Sequence, residues 1–259
     1  MSNYWIDRIE HQNEVNFQKT TAAADKKLAE LYRRTANSLL LDITALYDKF
    51  DKKPEEVLVN DLYKNNQYYF LLGQINQKLT ALGEEEIKII SAEMLKLYEE
   101  TSKVVQNQAG FQVSFEDSAQ DALNRIWCPD GKHWSSRVWK NKAEMQQRLE
   151  QGIIDCVSRG LSKDKVVTEI ADLVGKDRSK AERLVRTELT FVQNEAAADT
   201  YQKAGITHYK FISAKDNRVS KECKALNNKV FSFGEKRVGK NFPPIHANCR
   251  CAIIPIINN

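Results

Sequence analysis

Residues that break helices are scarce in this chain. Ten glycines and five prolines among 259 residues argue against a low-complexity or all-β protein, both of which need turn formers every few positions. Apolar runs are short as well. None approaches the roughly 18 residues that cross a membrane, and the start Met1-Ser-Asn-Tyr-Trp-Ile-Asp-Arg8 lacks the basic region and apolar stretch of a secretory signal. No membrane contact is expected, and the chain should remain in the cytoplasm where it is made. Cysteine is absent before residue 128, and the total of five is an odd count that announces no disulfide framework. Catalytic signatures are missing too: there is no Gly-rich phosphate loop, no nucleophile elbow and no His-Glu-x-x-His helix. An enzyme is the least supported class, no small-molecule substrate is expected, and the chain reads as non-catalytic.

What is abundant is helical periodicity. From Asn3 to Phe50, Val15, Leu28, Leu31, Thr35, Leu39, Ile43 and Leu46 recur at three- and four-residue steps, which predicts one long helix or a helix pair. Pro54 is expected to end it. Glu55 to Leu82 follows as one or two shorter helices carrying Tyr63, Tyr68, Tyr69 and Phe70, with the tyrosines expected to pack. Gly83 should then open a new helix whose first turn holds Glu84, Glu85 and Glu86, where carboxylates suit the positive end of the dipole. Ser114-Phe-Glu-Asp117 has the form of a capping box, and Cys128-Pro-Asp-Gly-Lys-His-Trp134 reads as a turn. Ser136 to Arg159 is another amphipathic helix, closed by Gly160. Lys163 to Val174 should stop at Gly175, and a second capping box at Ser179-Lys-Ala-Glu182 should start a helix to Gly205. Arg183, Arg186 and Glu188 lie on that last helix, where an arginine–glutamate pair is expected to fix a structural junction.

After Gly205 the period turns from helical to alternating, with strands expected at His208–Ser213, Lys229–Phe233 and Cys251–Ile257. The expected fold class is therefore mainly α: an elongated helical N-terminal and central region followed by a small α+β C-terminal module. Three parts follow from this: a helical arm or bundle over 1–110, further helices over 111–204, and a small basic β-rich module over 205–259. Charge divides the same way. Residues 1–204 carry 29 Lys+Arg against 32 Asp+Glu, whereas 205–259 carry 10 against 3. Such a surplus attracts phosphate or an acidic surface, with Lys215, Arg218, Lys221, Lys236, Arg237, Lys240 and Arg250 as the candidate phosphate contacts. The alternative is that these are solvated loop residues.

Soft ligands gather near the end of the chain, in Asn241-Phe-Pro-Pro-Ile-His-Ala-Asn-Cys-Arg-Cys251. Pro243 and Pro244 fix φ and cannot continue a helix. Cys249 and Cys251 share one face if the segment is extended, while His246 has the opposite parity and needs a turn to join them. With Cys223 as a fourth donor, three thiolates and an imidazole make a closed tetrahedral set of the kind that holds structural zinc. Two other readings stay open: buried thiols beside a hydrogen-bonded histidine, and a disulfide from Cys223 to Cys249 or Cys251, which a reducing cytosol disfavours.

The run from Tyr209 to Pro255 resembles the C-terminal domain of the tailed-phage minor head proteins, also called head morphogenesis proteins, related to the F protein of phage Mu. The resemblance extends upstream through Arg186-Thr-Glu188 with Asn194, and through Trp127, Asp130-Gly131 and Arg137-Val-Trp139, covering at least residues 125 to 255. It makes 111–204 the helical part of a head morphogenesis domain. Many relatives carry a cysteine where this chain has Ser220, which leaves Cys223, His246, Cys249 and Cys251 as the complete ligand set or lets Asp216 replace one of them. The resemblance implies a minor virion component, at the portal vertex or inside the head. Its helical half would engage the portal or another head protein, and its basic module would face packaged DNA. A zinc-stabilised nucleic-acid-binding protein is the second class that the residues permit. A metal-dependent hydrolase using His246 and Asp216 is the third.

Overall fold

The computed structural model describes residues 3–50, 53, 56–64, 66–109, 118–214 and 217–256. Pro54, the Ser114–Asp117 capping box, Lys215 and Asp216 lie outside the described residues. Helices dominate: α1 (Asn3–Tyr47), α2 (Val59–Lys64), α3 (Asn66–Ala109), α4 (Ser118–Asn124), α5 (Trp134–Ser158) and α6 (Lys163–Lys203) precede a small C-terminal part. That part consists of β1 (His208–Ile212), α7 (Lys221–Leu226), β2 (Val230–Ser232), a 3-10 turn at Phe233–Glu235 and β3 (Ala252–Ile256). The strands form one antiparallel sheet in the order β2-β1-β3, with Tyr209 opposite Phe231 and Pro255. The mainly helical expectation with a small C-terminal sheet holds. Among the described residues, no helix is long and apolar enough to cross a membrane.

Two expected helix breaks are absent. The 44 residues of α3 run through Gly83, because Leu79, Leu82, Glu86, Ile90, Met94 and Leu97 form one buried stripe across it and a single glycine costs a helix only about 1 kcal/mol. The glycine serves packing instead. A Cβ at position 83 would stand 2.6 Å from the Trp139 ring. The 41 residues of α6 likewise pass through Gly175 and Ser179. Ser179 does not cap: its hydroxyl donates back to the Gly175 carbonyl at 3.3 Å, a bond that a serine makes inside a helix.

The chain divides into two compact units: Lys26–Ile89 with Ser135–Glu182, and Met1–Asp25 with Ile90–Trp134 and Arg183–Asn259. Among the described residues the regular elements of the first are helices, and its apolar core includes Leu39, Ile43, Ile75, Leu79, Leu149 and Ile170. Glu86 is not first-turn charge on a helix dipole. It is fully buried, 2.7 Å from Lys142 Nζ, and it accepts a hydrogen bond from the Tyr32 hydroxyl at 2.8 Å. Neighbouring charge and burial together raise the Tyr32 hydroxyl well above its ordinary pKa, burial contributing most. Of the tyrosines expected to pack, Tyr68 is buried, but Tyr63 and Tyr69 are exposed, as is Phe70.

The second unit is built on the C-terminal half of α6. Tyr201, Ala197, Ala198, Ile9 and Val105 join Tyr209, Phe233, Phe242 and Ile253 in one core. Tyr209 lies between rings, with centroids 5.1 Å from Phe233 and 5.6 Å from Phe242. Aromatic pairs in these arrangements add about 0.5–1.5 kcal/mol each beyond their buried area.

Candidate metal centre

The site begins on α6. Every residue from 187 to 198 is buried, so the polar side chains in Thr187-Glu-Leu-Thr-Phe-Val-Gln-Asn-Glu195 must find partners inside the protein. Thr187, Thr190 and Asn194 recur at helical spacing and reach one loop. Thr187 Oγ1 accepts from the Asn248 amide at 3.0 Å, Thr190 Oγ1 donates to the Cys249 carbonyl at 2.6 Å, and Asn194 Nδ2 donates to the Cys251 carbonyl at 3.1 Å. Three polar side chains of one helix thus hold the backbone of the cysteine segment.

Within that segment, the turn expected between His246 and the cysteines is present. The Cys249 amide donates to the His246 carbonyl at 3.1 Å, and Asn248 takes a left-handed φ of 59°, a conformation that asparagine tolerates better than most residues. The Pro243–Pro244 peptide is cis. Cys223 arrives from α7, whose N-cap is Ser220; the Ser220 hydroxyl accepts from the Cys223 amide at 3.2 Å. Ser220 therefore positions Cys223 through its backbone.

The three sulfurs of Cys223, Cys249 and Cys251 are buried and lie within 4.8 Å of one another. Cys223 Sγ is 3.9 Å from Cys249 Sγ and 3.3 Å from His246 Nε2. A tetrahedral ion about 2.3 Å from each sulfur and about 2.0 Å from nitrogen sets two sulfurs about 3.8 Å apart and sulfur and nitrogen about 3.5 Å apart. The Cys223–Cys249 separation is close to that spacing, and the three-cysteine cluster could hold a metal ion. Of the four expected ligands the structure brings the three sulfurs together, while His246 approaches Cys223 without joining the group whose atoms all lie within 4.8 Å of one another. His246 is the exposed member. Its Nδ1 lies 2.8 Å from the Ala247 carbonyl, which can only accept, so Nδ1 carries the proton and Nε2 presents its lone pair to Cys223.

Sulfurs this close cannot titrate independently. The Cys251 thiol donates to Cys249 and pushes the Cys249 thiol down to about 5, against the opposing effect of burial. The same bond, with burial added, raises Cys251 far above the ordinary thiol range. Burial raises Cys223.

The other expected site residues are spread among different tasks. Arg186 pairs with Asp25 at 2.6 Å, and Glu188 accepts from Trp127 Nε1 at 2.8 Å, while the Trp127 ring stacks on Phe191. Arg183 is exposed. Arg218, Lys221, Arg237, Lys240 and Arg250 are exposed. Lys236 is instead bound to the fully buried Glu195 at 2.8 Å and sits over the Phe242 ring. Glu195 also pairs with Arg125. Thr187, Thr190 and Glu195 were not among the residues singled out from sequence, although polar side chains in a helix stretch with Phe, Val and Ala around them are the visible sign of internal partners.

Residues 147–254 match the model of one family, described as phage Mu protein F like protein. This is the family that the motifs resemble. The matched span contains all of α6, β1 and β2, the start of β3 and the three clustered cysteines. No curated protein and no solved structure matches the chain.

Proposed function

We propose that this is a minor head protein of a tailed bacteriophage, acting in head morphogenesis. After assembly in the host cytoplasm it would reside in the virion, at the portal vertex or inside the head. The observation that carries this reading is the family match over 147–254, which takes in the cysteine cluster together with the helix that holds it. In this reading the N-terminal helices engage the portal or another head protein. The exposed Arg218, Lys221, Arg237, Lys240 and Arg250 make non-specific contacts with packaged DNA. The chain does no catalysis.

Cys223, Cys249 and Cys251 would hold zinc, with His246 Nε2 as the fourth ligand. Bound there, the ion supplies charge and a cross-link between α7 and the cysteine segment, since a filled thiolate–imidazole set has no open position. Zinc content near one per chain, lost in Cys223→Ser, is the expected result; protein prepared without chelators that contains none would remove the metal. For the function itself, co-expression with the portal protein of the same phage should yield a complex of fixed stoichiometry. Portal that elutes alone, together with salt-sensitive DNA binding by this chain, would favour a nucleic-acid-binding protein without a virion role.

A further inference from the structure

The clustered sulfurs have a second chemistry open to them. Cys223 Sγ and Cys249 Sγ are 3.9 Å apart, although 26 positions separate them in sequence. A disulfide joins sulfurs at about 2.05 Å, an approach of roughly 1.9 Å from where they stand. Cys249 and Cys251 are separated by one residue, and closing a ring over so short a segment forces the bond away from its preferred dihedral of about 90°. The Thr190 and Asn194 hydrogen bonds fix the carbonyls of Cys249 and Cys251 on α6, so Cys249 stays facing Cys223.

We propose that the cluster is a redox clasp, holding a metal ion when reduced and closing a Cys223–Cys249 disulfide when hydrogen peroxide oxidises it. The Cys249 sulfur attacks one peroxide oxygen, the O–O bond breaks, and the departing oxygen leaves as water, making Cys249 a sulfenic acid. Cys223 attacks that sulfur, the S–S bond forms, the S–O bond breaks and a second water leaves. Two electrons pass from the sulfurs to the peroxide, and the two protons that complete the waters come from the thiols in the metal-free chain and from solvent where the thiolates hold the ion. Two of the three anionic donors become neutral, so the ion is released as the covalent bond takes over its cross-link. A chain made in a reducing cytosol and then carried outside in a particle meets the two conditions in that order. Only the reduced state rests on the metal reading, and only the order of events rests on the virion reading.

The test uses the full chain, zinc-loaded and chelator-stripped, treated with hydrogen peroxide. Free thiols are then alkylated, disulfides are mapped by peptide mass spectrometry, and released zinc is followed with a chromogenic chelator. The expected result is a Cys223–Cys249 cross-linked peptide with one zinc released per disulfide formed, reversed by a dithiol reductant. Cys251→Ser should keep that cross-link, and Cys249→Ser should lose it. A chain that binds no zinc but forms the Cys223–Cys249 bond upholds the redox step and removes the metal. Peroxide that leaves all three thiols alkylatable, or that joins a different pair, overturns the proposal whatever the zinc content.

Discussion

The two ends of α6 differ both in composition and in surroundings. Over 163–182 the helix is amphipathic: Val166, Ile170, Val174 and Ala181 are buried, and charged residues such as Asp172 and Lys176 face water. Over 187–198 every residue is buried, and its polar side chains are bound to the cysteine segment and to Lys236, Arg125 and Trp127. Most polar side chains on the first stretch are solvated, so changing one costs little; Asp177, buried against Arg148, is the exception. On the second a polar side chain is a structural bond, and removing it leaves its partner unpaired.

That contrast can be broken most forcefully at Glu195. Glu195→Ala should cost about 3 kcal/mol in urea unfolding, the low end for breaking a buried pair, because Lys236 and Arg125 can still turn toward water. Next comes Asn194→Ala, which strands the Cys251 carbonyl. A loss of about 1–3 kcal/mol is expected, with metal affinity down about 10- to 100-fold by competition with a chelating dye, as for other partners that orient ligands. An Asn194→Ala protein with unchanged metal affinity would mean that α6 only supports the fold.

A smaller effect should follow pH in the metal-free protein, read as the stability of wild type minus that of Cys249→Ser. Cys249 is held down to about 5, below the ordinary thiol value of about 8.5, so the unfolded chain binds one more proton between those values and stability rises with pH across that window. Above about 8.5 the raised Cys223 and Cys251 keep protons that the unfolded chain has released, and stability falls again. The difference should therefore peak near the ordinary thiol value, and a monotonic curve would show that the sulfurs do not share a proton. The smallest change belongs to the solvated stretch: Gly175→Ala meets no atom within 4 Å and should stabilise by about 0.5–1 kcal/mol in thermal unfolding.

Much of the fold was legible in the sequence because periodicity is a local property. The spacing of Leu28, Leu39 and Ile43 predicts α1, alternation predicts β1, β2 and β3, and Pro129-Asp-Gly131 predicts the turn in which Gly131 takes a φ of 66°. Gly83 and Gly175 misled because a helix continues through a glycine when its buried stripe does, and burial is not local. The cysteine ligands were legible from residue type, and the turn at Asn248 from the parity of His246. The roles of Thr187, Thr190 and Ser220 were not, since each acts through the backbone of a residue close in space.

Residue types and their spacing determined the helices, the basic surplus after residue 204, and the small set of sulfurs and one imidazole that could share an ion. Tertiary structure alone decided that three of those sulfurs meet in a buried cluster with His246 at its exposed edge. It also decided that Glu86 and Glu195 are interior charges with partners. The physical reason is that donor chemistry and helical period are fixed by neighbours along the chain, whereas distance, burial and the identity of a hydrogen-bond partner depend on which segments pack together.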